Sequence, residues 1–179
     1  MTRVVYDNRM ILLHLKDEEY PYREITNFRD VSRGIVVFPN GRVAIHLVHR
    51  DDRFGNQTYF ETPGGGVDEG ETFEVAVKRE CEEELGYEVE VIECIAEIND
   101  FYNLIGRQNR NRYYLCKAKE YVGKHFESSG DSFIQETKFM TIVEAIDAYS
   151  SQEDHGVAGL VKRRELPVLL EAKRILEGK

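Results

Sequence analysis

Apolar and polar positions alternate with a period of two in several short runs. Ile11–Leu15, Ser32–Phe38 and Arg42–His49 read as strands. Pro39-Asn40-Gly41 joins the last two, and Asn-Gly between such runs signals a hairpin because both residues accept the positive φ of a tight turn. Thr58–Thr62 is a further short strand, stopped by Pro63 and the run Gly64-Gly65-Gly66. The period then changes to that of a helix over Thr72–Leu85, closed by Gly86, the residue best suited to the left-handed conformation after a last turn. Glu88–Ile98, Arg112–Ala118 and Phe139–Ile142 read as strands, with Asn99–Arg112 a long polar loop between the first two. Val143–Tyr149 and Leu166–Leu176 read as helices, the second carrying Leu169, Leu170, Ala172 and Leu176 at helical spacing. Strands gathered around one central helix and closed by helices predict an α/β class, a sandwich with a mixed sheet. The order is not a regular βαβ alternation, which counts against a doubly wound parallel sheet.

The central helix is not a simple amphipathic one. At 100° per residue Phe73, Val77, Cys81 and Leu85 share one stripe, with Ala76 at its edge. Glu80 and Glu84 fall in that stripe and Glu83 flanks it, whereas Lys78 and Glu82 lie opposite. A run such as Glu82-Glu83-Glu84 is ordinarily a solvated face. Ionised carboxylates against apolar neighbours are costly unless a cation compensates them. Hard oxygen ligands with no histidine nearby in sequence, and a single Cys81 that belongs to the apolar stripe, suit Mg²⁺ or Mn²⁺.

Charge points the same way. Twenty-four basic against 33 acidic side chains leave a net charge of −9, which argues against duplex nucleic acid or an anionic membrane as partner. An anionic ligand would need a cation to neutralise it. Cys81, Cys94 and Cys116 are widely spaced with no CxxC, as expected of small apolar residues in a reducing compartment. The apolar run Met10–Leu13 is too short for a signal-peptide core or a membrane span. One domain over 1–179 and a cytoplasmic location are the expectations.

The segment 65–87 resembles the signature of the Nudix (MutT-like) hydrolases. Gly65 is followed after five residues by Glu71, then after seven by Arg79-Glu80-Cys81-Glu82-Glu83-Glu84-Leu85-Gly86-Tyr87. Glu71, Arg79, Glu80, Glu83, Glu84 and Gly86 all match the fixed positions, while Cys81 and Tyr87 stand where aliphatic residues are usual. The resemblance implies an α/β/α sandwich. It also implies hydrolysis of a nucleoside diphosphate linked to another moiety, with metal ions bridging the diphosphate while water attacks phosphorus. By position, Glu80, Glu83 and Glu84 would hold the metal, with the Gly64 carbonyl as a further ligand and one of the glutamates polarising the water. Glu71 and Arg79 would orient loop and helix. Glu136, ahead of the Phe139–Ile142 strand, stands where several family members supply one more carboxylate.

Tyr102, Arg107, Arg110 and Arg112 in the polar stretch could stack a base and hold phosphate, although a polar loop of this composition is equally ordinary. His46 and His49, three apart on a strand, face opposite sides and offer no ligand pair. No signature selects the substrate. The proline shortly after the box that marks ADP-ribose pyrophosphatases is missing, since Pro167 is the next one. The extended motif of the coenzyme A group is absent too. Tyr102 or Tyr113 could stand for the tyrosine of diadenosine polyphosphate hydrolases, but in a chain with 10 Tyr such matches come cheaply. The expected partner is a small nucleoside-diphosphate-type molecule, with a homodimer left open. The alternative is an inactive Nudix-fold module that senses a nucleotide or binds a partner, a reading that degraded box glutamates would favour; none is degraded.

Overall fold

The strands follow in the order β1 (Val5–Asp7), β2 (Met10–Leu15), β3 (Asn27–Val37), β4 (Val43–Asp52), β5 (Gly55–Glu61), β6 (Gly64–Gly66), β7 (Tyr87–Tyr102), β8 (Arg107–Tyr121) and β9 (Ile134–Met140). The helices are α1 (Phe73–Leu85), α2 (Ile142–Ser150) and α3 (Gly156–Leu176). The structure, a computed structural model, describes residues 5–7, 10–125 and 132–178.

The described strands form one mixed sheet in the order β1-β2-β7-β8-β3-β4-β5, with β6 attached to β3 and β9 to β4. β2 runs parallel to β7, and β3 runs parallel to β8 over its whole length. β3 and β4 pair at Val37–Val43, beside the Pro39-Asn40-Gly41 turn. Beyond that point they part: β3 takes up β6, and β4 takes up β5 and β9. A cavity lies along this parting.

Helix α1 covers one face of the sheet, against β3, β6, β7 and β8. Val77, Cys81 and Leu85 pack there with Val36, Tyr114 and Cys116. Helix α3 covers the other face against β2, β5 and β7, with α2 packed beside it. Val161, Val168, Leu169 and Ala172 of α3 join Ile35, Ile95, Ile98 and Tyr113 in that larger core. The result is a three-layer α/β/α sandwich, as the resemblance implied, around the mixed sheet that the order of elements predicts.

Several boundaries differ from those the pattern predicts. Asn99–Arg112 is not a long loop. β7 runs to Tyr102 and β8 starts at Arg107, with a single 3-10 turn, Asn103–Ile105, between them. Alternation is hidden there because Asp100, Asn109 and Asn111 are buried polar residues: both amides donate to Asp100 Oδ1, at 3.0 and 2.9 Å. α3 begins ten residues before Leu166, at Gly156, because its buried face includes the charged pair Arg164 and Glu165. β9 lies earlier than expected, and Ile142 opens α2 behind a capping box of Thr141 and Glu144.

Candidate active site

Helix α1 is fixed at both ends. The Thr72 hydroxyl accepts from the Val75 N–H at 3.2 Å. Gly86, at φ 77°, donates its N–H to Glu82. Between these caps Glu80, Glu83 and Glu84 are 5%, 4% and 5% exposed, while Lys78 is exposed and Glu82 half-buried. Glu80 and Glu84 turn inward as their place in the stripe predicts, and Glu83, expected at its flank, is buried as well.

Each inward carboxylate has a partner. Arg79 donates to Glu71 through Nε and Nη2 at 2.9 and 3.0 Å. Its Nη1 reaches Glu80 at 2.9 Å and Glu83 at 3.4 Å. Its Nη2 also reaches the Gly66 carbonyl at 2.9 Å. Arg79 thus ties the loop after β6 to α1, and its hydrogen bonds to Glu71 hold that carboxyl below its ordinary range. Glu84 Oε2 accepts from the Gly64 N–H at 2.9 Å and lies 3.0 Å from His46 Nε2, whose Nδ1 lies 3.1 Å from Thr137 Oγ1.

Glu80 carries the largest electrostatic load. Burial, and then the neighbouring Glu84, push its carboxyl up to about 7 against the pull of Arg79. Gly65 is what leaves it room: a Cβ there would stand 2.5 Å from Glu80 Oε1. The glycine run is thus a close approach of backbone to carboxylate.

These carboxylates line one side of a cavity of about 840 Å³, within the range of small-molecule sites. Arg29, Arg33 and Arg107 line it from β3 and β8, and Phe54, Tyr102 and Phe133 add aromatic surface. Its floor is ionic. Arg164, 2% exposed, donates to Asp100 at 3.1 Å, to the Tyr102 hydroxyl at 2.9 Å, and to Glu61 and Glu165 at 3.0 and 3.1 Å. Arg33 pairs with Glu61 at 2.8 Å. Burial alone would raise the Glu61 carboxyl, but Arg33 and Arg164 bring it below its ordinary range.

Two of the expected substrate-binding residues, Tyr102 and Arg107, line this cavity, and Arg110 and Arg112 do not. On a strand successive residues face opposite sides, so Arg107, Asn109 and Asn111 share the cavity face while Arg110 and Arg112 point to the α1 side. There they lie over the Phe73 ring at 5.2 and 4.5 Å and pair with Asp30 and Glu97. Glu136 also lies away from the place its position in the sequence suggests. Its side chain is 58% exposed, 3.6 Å from Lys138, and it borders a shallow surface depression. Its neighbour Thr137 is the residue of β9 that faces His46, so Glu136 faces away. The sequence reading sets His46 aside for want of a ligand partner and does not single out the Glu61–Arg164–Glu165 group. A histidine inside Val43-Ala44-Ile45-His46-Leu47-Val48 is a sequence signal; the charged pair within α3 gives none. As expected of three free cysteines, Cys81 and Cys116 are buried, and burial pushes the Cys116 thiol up to about 12.

Known proteins share this architecture and motif. Residues 28–159 match the family model of the NUDIX domain. The chain is 28% identical over 152 residues to the CMP-5'-(N-acetyl-N-hydroxy-3-aminopropyl)phosphonate hydrolase of Streptomyces rubellomurinus, covering 83% of this chain and 71% of that one. Among solved structures it is similar to the E. coli ORF135 protein, with a TM-score of 0.57, 20% identity and coverage of 86% and 94%. It is also similar to a NUDIX hydrolase from Nitrosomonas europaea, with a TM-score of 0.56, 13% identity and coverage of 68% and 78%. With the family model spanning most of the sandwich, the box glutamates included, this chain belongs to the Nudix family of hydrolases.

Proposed function

We propose that the chain, acting as one domain over 1–179, is a metal-dependent hydrolase that cleaves the diphosphate bond of a nucleoside-diphosphate-linked substrate. The observation that carries the reading is three buried carboxylates on one helix, turned into a cavity whose other wall bears arginines. Such a site attracts a divalent cation on one side and a phosphate chain on the other. The aromatic rings of Phe54, Tyr102 and Phe133 offer surface to a base.

The donor set fits Mg²⁺ or Mn²⁺. Among the described residues no three His, Cys, Asp or Glu side chains already stand as a metal cluster. Arg79 draws Glu80 and Glu83, and His46 and Gly64 draw Glu84. All three carboxylates are hard oxygen donors, and Glu80, lifted by burial first and by the charge of Glu84 second, is a group that a cation would return to its ionised form. Glu80, Glu83, Glu84 and the Gly64 carbonyl would hold the ion. When bound it supplies positive charge against that developing on the phosphoryl oxygens.

The chain's own residues do the rest. The arginine wall orients the phosphates, and the Arg79–Glu71 pair keeps loop and helix in register. Water adds its oxygen to one phosphorus, and the bridging P–O bond breaks with its electron pair leaving on the other phosphoryl group. The proton released passes to one of the inward carboxylates and then to solvent.

The test is release of nucleoside monophosphate or phosphate from a diphosphate panel, with and without Mg²⁺, for the native chain and three variants. Glu83→Gln and Glu84→Gln should each lose on the order of 10²-fold in rate, as expected for removing a main electrostatic stabiliser of a transition state. Glu82→Gln should stay within about three-fold, since this half-buried side chain is not among those that line the cavity. Equal, modest losses at all three positions, or nucleotide binding with no turnover, would refute the reading.

A further inference from the structure

In a chain with a charge of −9, an arginine without a carboxylate nearby stands out. Among the described residues Arg33, Arg42, Arg50, Arg79, Arg110 and Arg112 each lie within 4.0 Å of an acid. So do Arg163, Arg164 and Arg174. Arg23 donates to the Leu104 carbonyl. The three that remain, Arg29, Arg53 and Arg107, all line the one large cavity.

An exposed arginine without a partner is ordinary by itself. These are placed where ordinary solvation does not account for them. Arg107 Nε is buried and has no hydrogen-bond partner. Arg107 and Asn27 are register partners on the parallel strands β8 and β3, so Arg29, two residues on and on the same face, comes beside Arg107. Burial and the like charges of Arg33 and Arg107 pull the Arg29 guanidinium below its ordinary range, and the more weakly acting Glu80 and Glu61 offset this only in part. The Arg29 guanidinium also lies against Gly66, where a Cβ would meet Nη2 at 3.0 Å and Nε at 3.2 Å. Gly65, the preceding residue, faces Glu80. The glycine run therefore separates the carboxylate cluster by one residue of backbone from a pair of like charges that, among the described residues, have no carboxylate within salt-bridge distance. Bringing like charges together costs free energy that an anionic ligand recovers, and guanidinium groups match the oxygens of phosphate in bidentate fashion.

Resting on the hydrolase reading above, we propose that Arg29 and Arg107, with Arg53 at the mouth, form a subsite for a terminal phosphoryl or phosphonate dianion. The preferred substrate is then a nucleotide whose anhydride ends in a free, ionised phosphorus group, rather than one capped by a neutral sugar. A sugar cap would offer hydroxyls to three cations and leave their charge uncompensated.

Two measurements test the subsite. First, kcat/KM with Mg²⁺ is compared for nucleoside di- and triphosphates and for nucleoside-diphosphate sugars, in the native chain and in Arg29→Met and Arg107→Met. Arg42→Met, outside the cavity, is the charge control. Second, binding of methylenediphosphonate, which is not hydrolysed, is titrated by calorimetry, with melting temperatures confirming folding. Each subsite variant should lose at least about ten-fold on the uncapped nucleotides and on methylenediphosphonate, and its loss on the sugar-capped substrates, whose diphosphate the same wall orients, should be at least about three-fold smaller. The Arg42 control should change neither. The native chain should favour the uncapped class. Equal losses on capped and uncapped substrates, or variants that bind methylenediphosphonate as the native chain does, would overturn the subsite. If no compound is hydrolysed but methylenediphosphonate binding still depends on both arginines, the hydrolase reading fails and the subsite stands.

Discussion

Glu80 shows how one buried carboxylate couples site chemistry to stability. Its carboxyl is lifted from 4.5 to about 7, by burial first and by Glu84 second. Between those values the folded chain holds a proton that the unfolded chain has released. The folded state binds more protons there, so stability falls as pH rises through the window, and the loss is complete above about 7. With a chelator present, the native chain should therefore lose about 2–3 kcal/mol relative to Glu80→Gln between pH 5 and pH 8, because each tenfold change in proton affinity is worth about 1.4 kcal/mol. Saturating Mg²⁺ should flatten the difference. Denaturant unfolding of both proteins across that range is the measurement, and parallel pH profiles would count against the assigned cause. His46 illustrates the opposite situation at this scale. It is a buried side chain wedged between Glu84 and Thr137, with no acidic or metal-ligand spacing to announce it.

The elements divide by which face of the sheet they serve. Those facing an apolar core were legible in the sequence: α1 with its Thr72 and Gly86 ends, the Asn40-Gly41 hairpin, and the last half of α3. Three of the elements that line the cavity were legible only in part. β7 and β8 continue through Asp100, Asn109 and Asn111, where hydrogen bonds between side chains replace the apolar alternation that marks a strand. The first half of α3 was lost in the same way to Arg164 and Glu165. The carboxylate helix was legible because its acids interrupt an apolar stripe. The arginine wall was half legible, because the two-residue period cannot be phased in a stretch taken for a loop. Element packing also yields a test. Gly65→Ala would place a methyl group 2.5 Å from Glu80 Oε1, at the end of a flexible side chain. The carboxylate should swing aside at little cost to folding, with hydrolysis falling at least about ten-fold as the charged groups lose their preorganised positions. Mg²⁺-dependent rates and melting curves of this variant read both effects. A large drop in melting temperature with unchanged specific activity would mean that the glycine serves the fold alone.

Across the whole molecule, the parting of β3 from β4 creates the cavity and removes the backbone hydrogen bonds that would otherwise hold the two parts of the sheet together. Side chains take over that task. Arg33 of β3, Glu61 of β5, Asp100 of β7 and Arg164 of α3 form one ionic group with Glu165, which is 0% exposed. Glu165 in turn accepts from the Tyr113 and Tyr149 hydroxyls at 3.0 and 2.7 Å and from the Thr62 N–H at 2.8 Å. Strands on both sides of the parting and both helices of the α2–α3 layer thus meet at one charge cluster. A buried network of this kind contributes little relative to an apolar replacement, but losing one member strands the others without compensation. Arg164→Met leaves Asp100, Glu61 and Glu165 with Arg33 alone, and should cost about 3–5 kcal/mol of unfolding free energy. Arg42→Met, whose partner Glu144 is exposed, should cost less than about 1 kcal/mol. Because the network is buried, the Arg164 loss should persist in high salt, where the small Arg42 effect should vanish. Equilibrium unfolding in urea at two NaCl concentrations decides the matter. A loss for Arg164→Met that disappears with salt, or that stays below about 1 kcal/mol, would show that the parted sheet is held by its apolar cores and not by this cluster.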